Sequence, residues 1–209
     1  MKHIVKSKEP EALRRWKNQS NDAWQPRYQD MPSDVKAVLR QALIQEQGCL
    51  CCYCQSSFSN KDVHIEHFRP QHDQQCDPLD YANMLCSCQG SLQKGEPRHC
   101  GMGKGDWFDE KLLLSPLDAD CESRFVFTGD GRILPRDNDP AAAESIARLG
   151  LNIPKLRRLR QAVLADFLEA NVSDAELRDW LAAHIARDLQ GCYGAYPTAV
   201  AYVLREYLP

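Results

Sequence analysis

Eight of the chain's ten cysteines are crowded between Cys49 and Cys100, and only Cys121 and Cys192 lie outside that window. Such a concentration constrains the fold more than any other feature. A secreted scaffold stapled by disulfides spreads its cysteines through the chain, and 209 residues are enough to bury a core without staples. The N-terminus, MKHIVKSKEPEALRRWKNQ, is polar and lacks the apolar run of a secretory signal. The expected setting is therefore a reducing cytoplasm, with the cysteines serving as metal ligands. Apolar runs such as KLLLSPL are far too short to span a bilayer, so no membrane association is expected.

Within CLCCYC, Cys51 and Cys54 form a C-x-x-C pair whose thiolates can share one zinc ion. A closed tetrahedral site needs a second pair. Downstream, LCSCQGSLQKGEPRHCGMGKGDW offers Cys86, Cys88, His99 and Cys100. Cys88 with Cys100 is the preferred choice, giving a four-cysteine structural zinc site that pins the start of a following helix. Cys86 and His99 remain alternatives. Cys49, Cys52, Cys76, Cys121 and Cys192 read as small buried apolar side chains.

The rest of the chain sorts around this centre. Residues 1–48 read as helical: in MPSDVKAVLRQALIQEQG, Ser33 is placed as the N-cap, Val35, Val38, Leu39, Ala42 and Leu43 recur at helical spacing, and Gly48 ends the helix. Residues 49–114 form the metal-organised core, in which KDVHIEHF alternates as a strand. Residues 115–209 begin with a β-hairpin, RFVFT-GDG-RILP, with Phe125 and Phe127 on one face. Helices follow: one uses Leu156, Leu159, Val163, Leu164 and Phe167, one opens with a Ser173/Glu176 capping box, and one starts after Pro197. The expectation is a single α+β domain with helical extensions on both sides of a compact β-containing core.

Between the cysteine pairs stand VHIEHFRP and then DYANMLCSC. The series C-x-Y-C, I-E-H-F-R-P, Y-x-N-x-L-x-S-C and H-C-G-x-x-K-G resembles the HNH endonucleases, whose core is the ββα-metal, or His-Me finger, fold. Further stretches extend the likeness: IVKSKEPEAL, QEQGCLCCYC, SPLDADCESRFVFTGDGRILP and SIARLGLNIPKLRRLRQA are similar to the HNH nuclease subunit of Septu-type and retron-associated anti-phage systems. The resemblance implies a metal-dependent nuclease acting on DNA or RNA, controlled by a partner ATPase. It also implies roles: His67 as general base, Glu66 as the acidic ligand of a catalytic Mg²⁺ or Mn²⁺, and Asn83 as the middle asparagine. The chemistry is coherent, because phosphodiester hydrolysis needs an activated water and a sink for phosphate charge. On a regular strand, adjacent side chains point to opposite faces, so Glu66 and His67 converge on one phosphate only where the strand ends or bulges.

One position departs from the pattern. Many HNH enzymes carry an asparagine or histidine ligand directly after the last zinc cysteine, and here that residue is Gly101. Either His99 or Asp106 substitutes, or Glu66, waters and substrate hold the ion. The alternative function is a zinc-organised nucleic-acid-binding or adaptor module with a degenerate centre. Lys104 is a candidate phosphate contact. His64 and His72 are left unassigned, a solvated loop histidine being the commoner case, and Lys155, Arg157, Arg158 and Arg160 read as the solvated back of a helix. A net charge of −3 gives no bulk attraction for nucleic acid. A partner is thus expected to supply binding surface, docking on 1–48 and 145–209 through residues such as Trp16, Trp24 and Trp180.

Overall fold

The computed structural model describes residues 1–58, 62–91 and 94–208; Lys61, at the start of the expected strand, and Pro209 lie outside them. The chain begins with α1 (Glu11–Lys17) and α2 (Ser33–Glu46), followed by an antiparallel hairpin of β1 (Val63–His67) and β2 (Met84–Cys88) and by the short helix α3 (Cys100–Lys104). A second hairpin, β3 (Phe125–Phe127) and β4 (Ile133–Pro135), leads into α4 (Pro140–Arg148), α5 (Pro154–Leu168), α6 (Asp174–Ile185) and α7 (Pro197–Leu204). The class is α+β, with two small two-stranded sheets among the described residues.

The β1–β2 hairpin is covered on both faces, which explains why β2 is buried along its whole length. The register runs without a bulge from Val63↔Cys88 to His67↔Met84. Alternation then sends Ile65 toward Leu13, Trp16, Leu39 and Leu43 of α1 and α2. His64 and Glu66 turn to the opposite face, where Ser87 on β2 accepts a 3.0 Å hydrogen bond from the Gly101 amide of α3. The second apolar cluster gathers Phe125, Phe127, Ile133, Leu149, Leu156, Leu164 and Val200 around the cysteine-rich loop. A buried carboxylate ties the N-terminal segment to this frame: Glu46 accepts from Lys6 Nζ at 2.7 Å and from the Tyr81 hydroxyl at 3.0 Å, while Lys6 also donates to the Met84 carbonyl.

Several local expectations are corrected. Pro32, with its φ already fixed near the helical value, occupies the N-cap of α2, and Ser33 is the first helical residue with no capping bond. Gly48 does end the helix in the left-handed region at φ +63°, and a Cβ there would lie 2.3 Å from the Tyr193 ring. In α2, Leu39 and Leu43 are buried but Val38 is exposed. Arg160 is not on a solvated back. It is buried and donates to the carbonyls of Gly131 at 2.7 Å and Leu151 at 2.5 Å, holding the β3–β4 turn against α5. The capping box of α6 is present.

Cys49 and Cys192 are not isolated apolar side chains. They form a disulfide that joins the start of the cysteine-rich loop to the segment before α7 across 143 residues of sequence. Cys76 is only half-buried. Of the tryptophans named for docking, Trp16 is buried and the half-buried Trp24 packs edge-on against it at 6.0 Å. Trp180 is 51% exposed. No helix of the described residues is long and apolar enough to cross a membrane.

Candidate active site and cysteine centre

The loop after α2 turns tightly. Cys51 N donates to Ser56 O at 3.0 Å and Gln55 N to Cys51 O at 3.0 Å, a small knuckle that aims both C-x-x-C sulfurs inward. Cys52 N donates to Cys86 O, hanging the knuckle on β2. Cys88 at the end of β2 and Cys100 at the start of α3 complete a buried group of four whose sulfur atoms all lie within 4.8 Å of one another. Cys54 Sγ and Cys88 Sγ are 3.9 Å apart. Tetrahedral zinc with Zn–S bonds of ~2.3 Å sets its sulfurs ~3.8 Å apart, close to the Cys54–Cys88 separation, so the group could hold a metal such as zinc.

The two alternative ligands sit differently. Cys86 lies outside the group with its sulfur 3.7 Å from the Arg40 carbonyl, and burial pushes its thiol up to about 12. His99 touches the group from its edge, with Nδ1 3.2 Å from Cys100 Sγ and 3.7 Å from Cys88 Sγ. That placement suits an N–H donor to a metal-bound thiolate.

Beyond the cluster, β1 presents the candidate base and the candidate metal ligand to different neighbours. The His67 ring stands edge-on to Tyr28 at 4.6 Å, with Nε2 3.0 Å from the Pro78 carbonyl. A carbonyl only accepts, so Nε2 carries the proton and Nδ1 keeps its lone pair. Gln71 Nε2 lies 3.3 Å from that lone pair. Burial pushes the imidazole below its ordinary value, which keeps it neutral near pH 7. Asn83 acts two residues further on. Its Oδ1 accepts from Arg69 N at 2.8 Å and its Nδ2 donates to Arg69 O at 2.9 Å, clamping the chain as it leaves β1. The Pro78 carbonyl holds the tautomer.

On the other face Glu66 is buried among polar partners. Oε1 is 3.0 Å from Lys104 Nζ and 3.1 Å from the Tyr53 hydroxyl, and Oε2 is 3.4 Å from His64 Nε2. Glu66 and His67 therefore do not converge. Lys104 has a different position from a phosphate contact: its ammonium is buried, pairs with Glu66 and also donates to the carbonyls of His67, Phe68 and Gly105 at 3.1–3.3 Å. It braces the end of β1 from α3. Asp106 is exposed and faces the exposed His72 at 3.9 Å, away from Glu66's partners. The residue that the sequence reading passed over is His64. Its signal was the i, i+2 spacing to Glu66, which on a strand means the same face.

No family model matches the chain. The chain is similar to two curated proteins. The "Retron Vc95 putative HNH endonuclease" of Vibrio cholerae serotype O1 biovar El Tor is 31% identical over 135 residues, covering 61% of this chain and 63% of that protein. The "Retron Ec83 putative HNH endonuclease" of Escherichia coli is 25% identical over 207 residues, covering 80% of each. The chain thus spans less than two thirds of the first relative's length.

Proposed function

We propose that this protein is a metal-dependent HNH endonuclease with a ββα-metal core, hydrolysing phosphodiester bonds in nucleic acid as the effector of a retron-type or Septu-type defence system. The observation that carries the reading is the His67 imidazole, whose Nε2 lies 3.0 Å from the Pro78 carbonyl so that Nδ1 is the basic atom. The relatives' names point the same way.

In this mechanism Nδ1 of His67 takes a proton from the attacking water once Gln71 swings aside. The Pro78 carbonyl stabilises the imidazolium through the Nε2–H bond. Asn83 fixes the Arg69 backbone and, through it, the position of His67 relative to the hairpin. Glu66 would hold a divalent ion, Mg²⁺ or Mn²⁺, which would supply charge neutralisation at the phosphate and the leaving oxygen. Cys51, Cys54, Cys88 and Cys100 hold a structural zinc that sets α3 against β2. A partner ATPase restrains the site and contributes binding surface, since a net charge of −3 gives the chain little grip on nucleic acid alone.

The test is cleavage of DNA and of RNA by purified protein with and without divalent metal, beside His67→Ala. A second reading, a zinc-organised binding or adaptor module, draws on the Lys104–Glu66 pair, which already neutralises the carboxylate. Binding without cleavage under every metal would favour it.

A further inference from the structure

We infer that His64 and Glu66 form a bidentate metal-holding pair on one face of β1, selective for ions that accept nitrogen, such as Mn²⁺ or Co²⁺, over Mg²⁺. The inference rests on the nuclease reading for its purpose but on separate atoms for its evidence.

His64 and Glu66 are two residues apart on a regularly paired strand, so their side chains run parallel out of one face. His64 Nε2 and Glu66 Oε2 are 3.4 Å apart. That is long for a charge-assisted hydrogen bond, which closes to ~2.7–2.9 Å. It is the separation of two donors on one ion: bonds of ~2.1 Å place ligand atoms ~3.0 Å apart at a right angle and ~3.4 Å apart at the tetrahedral angle. The Oε1 atom is held by Tyr53 and Lys104, which orients the carboxylate and leaves Oε2 for the ion.

Gly101 supplies the second observation. A Cβ built there would lie 2.3 Å from Glu66 Oε2 and 2.7 Å from His64 Nε2. Any side chain at 101 would fill the space between α3 and the pair. Gly101, at the position where HNH enzymes commonly carry a ligand, thus leaves that space to His64 and Glu66. An imidazole and one carboxylate oxygen make a mixed nitrogen–oxygen donor set. Such a set favours first-row transition ions, whereas Mg²⁺ prefers oxygen alone. Water and substrate phosphate complete the coordination.

The test uses zinc-replete protein titrated with Mn²⁺ and followed by electron paramagnetic resonance. The inference expects loss of the free Mn²⁺ signal and an imidazole ¹⁴N modulation of the bound ion. In His64→Gln the modulation should vanish and affinity should fall at least ~10-fold, with zinc content and circular dichroism unchanged. Gly101→Ala should lose Mn²⁺ by pushing Glu66 Oε2 and His64 Nε2 out of that space while both donor residues remain in the chain. Bound Mn²⁺ without ¹⁴N modulation, modulation that survives His64→Gln, or no Mn²⁺ binding would each overturn the pair. Failure here with His67-dependent cleavage intact would leave the nuclease reading standing; His64-coupled Mn²⁺ in a protein that cuts nothing would do the reverse.

Discussion

Glu66 and His67 are covalent neighbours that look into different parts of the molecule: the carboxylate contacts Tyr53, His64 and Lys104, and the imidazole contacts Tyr28, Gln71 and Pro78. The β1–β2 register is regular through His67, so nothing in the strand bends the two together. The two side chains therefore leave the strand on opposite sides, just before the Phe68–Pro70 exit. Asn83 and Lys104 both grip that exit, one at Arg69 and the other at the carbonyls of His67 and Phe68.

If the four sulfurs share one zinc, purified protein should contain about one zinc per chain. Cys54→Ser should abolish folding of the core, because structural zinc contributes on the order of 10 kcal/mol. Elemental analysis and circular dichroism check it, and well-folded, zinc-free protein would contradict it.

Asn83→Ala removes both bonds to Arg69 and leaves a part-buried N–H and C=O without these partners, at about 1 kcal/mol each. The expected result is a lower Cm in urea together with weaker cleavage. Asn83→Asp should be intermediate in stability, since it keeps the acceptor and loses the donor.

Acid stability has a contribution from the start of α4. Asp139 caps the helix by accepting from Ala141 N and Ala142 N, and the Arg124 guanidinium holds its carboxyl below the ordinary value. A carboxylate with a depressed folded pKa adds stability that is present above its unfolded value near 3.8 and lost as pH falls through the folded value. Asp139→Ala should cost ~1 kcal/mol at pH 7 and flatten the acid limb of the stability curve. Urea titrations from pH 7 to pH 2 would show an undiminished acid limb if the idea is wrong.

Regulation by an ATPase subunit predicts a stable complex on size exclusion after co-expression, with a cleavage rate that responds to ATP. Trp180, exposed beside His184 and Tyr193 in a groove of about 740 Å³, is the tryptophan to mutate. Trp180→Ala should weaken the complex without changing zinc content. Cutting that is indifferent to the ATPase would remove this layer of the account.

Local order was legible in the sequence wherever a period or a terminator decides it. The α6 capping box, the Gly48 terminus, the Phe125/Phe127 hairpin and the helix after Pro197 all follow from residues close in sequence. What required the third dimension was pairing across distance. Cysteine connectivity cannot be derived from spacing, so the Cys49–Cys192 disulfide was hidden. Arg160 looks like its basic neighbours until the β3–β4 turn arrives to accept its bonds. Lys104 looks like a free cation until α3 lays it on Glu66. His64 was hidden for a different reason: its partner was two residues away, but only a fixed strand makes that spacing a shared face.

The most direct measurement is metal-dependent cleavage of a nucleic-acid substrate by wild-type protein and by His67→Ala purified in parallel, each shown to carry the same zinc. The account predicts cleavage by the wild type that needs a divalent ion and falls by about 10²–10⁴-fold in the variant. Equal cleavage by both proteins would contradict it.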